Sequence, residues 1–206
     1  MADSWDGPIA HVLRASTAGF SAGARVQQIG APTFGAFVCA QPRGGDRETV
    51  YGLLYDIHID DDPLVRQLVL ADAVSEETIR DQRHHRIVPL EMSVLAIGYR
   101  DYHGVLRHML PPRPPLSLDP VYVCTQDEVL ELTSGFDFFR MVLGTAQVPG
   151  EQLLAAALLH ASQIRPPGER ETFLVEAGRH AARLLSSDLN RLDYLLNLIA
   201  PTPQRA

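Results

Sequence analysis

The chain has 206 residues, 46% of them hydrophobic and 21% charged, with 25 acidic residues against 18 basic ones and a net charge of -7. All the basic residues are arginine; lysine is absent, which excludes a P-loop GxxxxGK(S/T), a kinase-type lysine and a Schiff-base lysine, because each needs that side chain's amine. Length and apolar fraction suit one folded domain or a little more, and the acidic balance argues against broad nonspecific DNA binding, which rests on phosphate neutralisation.

Taken in order, the first sixty residues read as short strands over 9–15, 22–26, 35–40 and 48–59. Gly19, Gly30 with Pro32, and Pro42 with Gly44 and Gly45 punctuate the gaps. Such runs at roughly ten-residue spacing predict a barrel or a sandwich rather than βαβ units. The period then changes. Asp62 as cap and Pro63 at the first helical position precede Leu64, Val65, Leu68 and Val69 at helical spacing. Ser75-Glu76-Glu77-Thr78 opens a second helix, so a helical insertion of about 62–85 interrupts the strands. Strand signal resumes over 87–99, and Pro89 places the start of that strand at a sheet edge. Pro111-Pro112-Arg113-Pro114-Pro115 is extended and semi-rigid, and 121–124 is a last short strand.

From Gln126 the spacing becomes helical. Val129, Leu130 and Leu132 open it, and Phe136, Phe138, Phe139, Val142 and Leu143 follow a break at Gly135. Pro149 starts a helix with Leu153, Leu154, Ala157, Leu158 and Ala161 on one face, which Pro166-Pro167-Gly168 ends. Another over 169–185 presents Phe173, Leu174, Ala177, Ala181 and Leu184. Asp188 caps the last, with Leu189, Leu192, Leu195, Leu196 and Ile199 on its face. The expected class is α+β: an antiparallel β-barrel-like domain over 8–125 carrying the insertion, then an all-helical region over 126–200.

No apolar run reaches the ~18 residues of a membrane helix, and the acidic Met1-Ala2-Asp3-Ser4-Trp5-Asp6 is no signal peptide, so a cytoplasmic location is expected. Cys39 and Cys124 form no CxxC pair, and buried free thiols are favoured over a disulfide. There is no GxSxG and no GxGxxG. The best enzyme-like pattern is Asp56, His58 and Asp60, which strand alternation puts on one face as a metal site requires; a solvated strand end is the simpler reading. Arg80, Arg83, His84, His85 and Arg86 make the one basic cluster, suited to DNA phosphates or, more readily, to a solvated helix face or salt bridges to a partner.

The N-terminal pattern resembles the HAS-barrel, the small β-barrel at the head of HerA-type DNA-translocating ATPases and of F-type ATP synthase subunits. The residues that carry the resemblance are Ile9-Ala10-His11-Val12 leading to Ala15-Ser16-Thr17, and Phe20 with Ala24-Arg25-Val26. Phe34-Gly35-Ala36-Phe37-Val38 and the run from Val50 through Asp56 to Ile57 complete it. Asp60-Asp61-Asp62-Pro63, Arg80-Asp81-Gln82-Arg83, Leu110 to Pro115 and Leu118-Asp119-Pro120-Val121-Tyr122 are similar to stand-alone bacterial members of that group. The resemblance implies a part that docks on a ring-shaped ATPase, with a nuclease as a further partner in DNA end resection.

Here helices replace the ATPase domain that normally follows the barrel. The expectation is therefore a non-catalytic accessory subunit with no cofactor, no catalytic residue and no resident metal, and with direct DNA contact and self-association both open. A metal-dependent hydrolase using the Asp/His cluster is the alternative. Arg80, Arg83, Arg86, Arg113, Phe138 and Phe139 are the candidate interface residues; for the phenylalanines, cementing the helices to the barrel is the favoured reading.

Overall fold

The computed structural model describes residues 7–25, 32–42, 48–59 and 89–200. The expected insertion over 62–85 lies outside the described residues. The described residues form seven strands: β1 (Ala10–Ser16), β2 (Gly19–Arg25), β3 (Phe37–Ala40), β4 (Thr49–Ile59), β5 (Pro89–Arg100), β6 (Leu106–Arg107) and β7 (Pro120–Val123). Their order is β2-β1-β7-β3-β4-β5-β6, and β2 also pairs with β5. That last pairing, running from Gly19 opposite Leu95 to Arg25 opposite Pro89, closes six antiparallel strands into a barrel. The choice between barrel and sandwich is thereby settled as a barrel.

Closure also corrects the reading of Pro89. The strand it opens is flanked on both sides, by β2 and by β4, so no sheet edge lies there. Proline is accepted because it is the strand's first residue. The two-residue β6, which no sequence signal marked, pairs Tyr99 with Arg107 and Arg100 with Leu106.

Alternation along the strands sorts side chains into two cores. Val38 and Ala40 of β3, Val50 and Leu54 of β4, and Leu90, Met92, Val94 and Ala96 of β5 point into the barrel. Their neighbours Phe37 and Cys39, Tyr51 and Leu53, and Leu95 and Ile97 point outward, yet they too are buried, under helices. Double burial explains why 35–40 and 50–54 read as continuous apolar runs.

Five helices follow among the described residues: α1 (Gln126–Leu132), α2 (Phe139–Leu143), α3 (Gly150–Ile164), α4 (Pro167–Leu184) and α5 (Leu189–Ile199). Thr125 caps α1 through a capping box with Glu128, Pro167 stands in the first turn of α4, and the Asp188 side chain accepts from the Arg191 amide to cap α5. Helix α3 is central, with Leu153, Leu154, Ala157, Leu158 and Ala161 all at 0% exposure.

The division between barrel and helices at residue 125 is a boundary in sequence; the larger core crosses it. Five outward-facing barrel side chains, Phe37, Tyr51, Leu53, Leu95 and Ile97, lie in that core with the helices. At ~1.5–3 kcal/mol per buried side chain, they contribute roughly 8–15 kcal/mol, as much as the whole net stability of a typical domain. The helices are therefore part of what holds the barrel wall together.

Candidate functional site

Helix α1 lies against the outer wall of the barrel, and a polar chain fastens it there. The Tyr51 hydroxyl donates to Oε1 of Glu128 at 3.0 Å and accepts from Nε of Arg100 at 3.1 Å. The Arg100 guanidinium grips both carboxylate oxygens of Glu131, at 3.1 and 2.6 Å, and donates to the Gly104 carbonyl at 2.9 Å. Burial pushes the Tyr51 phenol well above its ordinary value. Hydrogen bonding to Glu131 raises Arg100, and Arg100 in turn holds Glu131 below the usual carboxylate range. Every shift locks a protonation state already favoured at neutral pH. The chain ties α1 to the wall through Glu128 and Glu131.

Beside it the fold assembles a cluster that sequence spacing did not reveal. Cys39 on β3, Cys124 just after β7 and Glu128 on α1 each bring one ligand-type atom within 4.8 Å of the others. Both cysteines are free and buried, as expected. Burial pushes the Cys124 thiol up, so it is not an activated nucleophile.

Phe138 and Phe139 are fully buried, both at 0% exposure. Phe138 meets Phe37 edge-on at 6.4 Å, and Phe139 packs on Phe136 at 5.1 Å. Their assignment to a partner interface is therefore corrected: they cement barrel to helices, because the outward wall of β3 would otherwise be bare. Arg113 is exposed, its side chain at 68%, and stands 3.6 Å from the Glu48 carboxylate. Arg80, Arg83 and Arg86 lie outside the described residues, as does Asp60. Asp56 and His58 share the exposed end of β4, opposite Ser93 and Glu91. Among the described residues they belong to no cluster of ligand atoms close enough to share an ion.

Two further surfaces stand out among the described residues. The loop before β7 runs beside β1, with the Leu118 amide on the Val12 carbonyl and the Ser117 hydroxyl on the Leu13 carbonyl, and it holds Leu13, Leu116 and Leu118 out in solvent. Leu118 has φ 70°, a left-handed conformation unusual for a leucine. The second surface is a groove of about 790 Å³ between α4 and α5, lined by Leu174, Val175, Ala182, Leu196 and Ile199, with Arg170 and Arg179 among its polar residues. The apolar stripe read on the last helix is wider than the bundle covers. Leu195 and Ile199 are buried, whereas Leu196 is 38% and Leu189 70% exposed.

Among the described residues no helix is long and apolar enough to cross a membrane. No protein-family model matches the chain, and no curated protein matches it.

Proposed function

We propose that this chain is a non-catalytic accessory subunit that docks through its helical region onto a hexameric HerA-type ATPase in the cytoplasm and supports DNA end processing with an associated nuclease. The observation that carries a docking role is the α4/α5 groove, apolar along its floor, with Arg170, Arg179 and Glu171 among the polar residues that line it. An amphipathic helix from the partner, with acidic residues beside its apolar stripe, is the occupant that this chemistry suits. The resemblance of the barrel strands to HAS-barrels supplies the partner class, and the lack of lysine means that any ATP turnover by a P-loop must come from that partner. The fixed protonation of the Tyr51–Arg100 chain favours a binding role over an acid–base enzyme.

Co-purification of the full chain with the HerA-type ATPase tests this reading. Association is expected, and Leu196→Glu and Val175→Glu, both at exposed positions, should each weaken it at least about tenfold, since a buried unpaired charge is costly. Arg113→Ala should leave it intact. No association in any nucleotide state would overturn the reading, and loss with Arg113→Ala alone would move the contact to the proline-rich loop.

A further inference from the structure

The two cysteines are far apart in sequence, yet the barrel brings them together beside a carboxylate. Cys39 is 0% exposed and Cys124 8%. The two Sγ atoms and a Glu128 carboxylate oxygen all lie within 4.8 Å of one another. We propose that Cys39, Cys124 and Glu128 are the protein ligands of a zinc ion that bolts α1 to the outer wall of the barrel, with water as the fourth ligand.

The spacing suits an ion. Zinc–sulfur bonds of about 2.3 Å at tetrahedral angles put neighbouring ligand atoms roughly 3.5–3.8 Å apart. The strand register argues against the obvious competitor, a disulfide. Cys39 is opposite Tyr122 and Val38 opposite Val123, so Cys39 and Cys124 are diagonal neighbours across the β3–β7 pair. Diagonal positions are about 7–8 Å apart, beyond the reach of about 6.8 Å at which a disulfide closes without backbone movement. Two thiolates with one carboxylate select zinc over magnesium or calcium, which prefer oxygen alone.

The third ligand is already oriented. Glu128 Oε2 accepts from the Thr125 amide at 2.8 Å and from its hydroxyl at 3.0 Å, while Oε1 accepts from Tyr51 at 3.0 Å. Oε1 keeps a lone pair for the ion, and Tyr51 becomes the outer hydrogen bond that fixes a ligating carboxylate. Binding breaks two S–H bonds, whose protons pass to water, and forms two zinc–thiolate bonds. The ion with two thiolates and one carboxylate carries a net charge of -1, and Tyr51 links its carboxylate to the Arg100 guanidinium, which is itself paired with Glu131. Nothing in this site depends on the docking role, so either can fail alone.

The full chain, stripped of metal and held under reductant, is titrated with Zn²⁺ against a chromophoric chelator and separately with Co²⁺. One ion per chain is expected, and Co²⁺ should give thiolate charge-transfer absorption with the intense visible bands of a tetrahedral site. Cys39→Ala and Cys124→Ala should each abolish those bands while circular dichroism keeps the helices. Glu128→Gln should weaken binding at least about tenfold and Tyr51→Phe about 10–100-fold. At zinc concentrations of about 100 times Kd, unfolding should become about 100-fold less favourable. If the cysteine variants do not fold, the Co²⁺ spectrum of the unaltered chain decides by itself. Absence of charge-transfer bands there would overturn the proposal. So would zinc uptake that persists in the double cysteine variant, or a Cys39–Cys124 disulfide in metal-free protein purified without reductant.

Discussion

Gly35 offers a direct measure of how tightly the barrel wall and the helices fit. It has φ +81°, and a Cβ built there would stand 2.5 Å from the Ala156 Cβ and 2.9 Å from the backbone of α3. The turn cannot swing away, because the Gly35 amide donates to the Leu54 carbonyl at 2.8 Å and the Leu54 amide to the Ala36 carbonyl at 3.0 Å. Gly104 has almost the same conformation, φ +82°, but nothing lies within 4 Å of its would-be Cβ. Gly104→Ala therefore reports backbone strain alone: about 1–2 kcal/mol for the left-handed conformation, less ~0.4–1 kcal/mol from the stiffer unfolded chain. Gly35→Ala adds the overpacking cost of ~1–3 kcal/mol. The difference between the two, about 1–3 kcal/mol, is the contact between barrel and α3. Urea unfolding of the two variants and the parent, followed by circular dichroism, measures it from the shift in midpoint at constant slope. Equal destabilisation by both substitutions would refute the close packing of the β3 turn on α3.

Two further outcomes follow from the buried polar groups. His108 is half-buried against Phe138, its Nδ1 has no hydrogen-bond partner, and burial lowers its pKa below the ordinary histidine value. Its contribution is complete above the unfolded value of about 6.5 and is lost as pH falls from there through the lower folded value, because the unfolded chain takes up the proton first. Denaturant unfolding at about pH 7.5 and about pH 5.5 should thus show a smaller loss on acidification for His108→Phe than for the parent, and equal losses would refute it. The second concerns Glu151, 8% exposed, which pairs with Arg191; that arginine also donates to the Leu143 carbonyl at 2.9 Å. Arg191→Met should cost about 1–3 kcal/mol by stranding the carboxylate, and Glu151→Leu added to it should recover part of that loss. A double variant no more stable than the single would sink this account.

Much of the architecture was legible because it rests on local pattern. Turn residues at ten-residue intervals announced the strands, and Asp188 announced α5, since a capping side chain bonds to an amide three residues away. The apolar helix faces marked α3 and most of α4 for the same reason: their period is a property of neighbouring residues. Long-range relations were not legible. The paired phenylalanines read as cement more readily than as interface, but which wall they pack against, the outward side of β3, was set only by the tertiary structure. The α5 stripe was visible, but which of its leucines lie uncovered depends on where α4 packs. Cys39, Cys124 and Glu128 carried no spacing signal, because their meeting depends on β3 pairing with β7 and on α1 folding back against the wall.

The absence of lysine and the excess of acid were complete in the sequence by itself, as was the order of strands before helices; these are facts of composition and local periodicity. Barrel closure, the division into an inner and an outer core, and the convergence of two thiols with a carboxylate were decided only by the tertiary structure. Each depends on hydrogen bonds and contacts between residues distant in the chain, and no local pattern encodes such pairings.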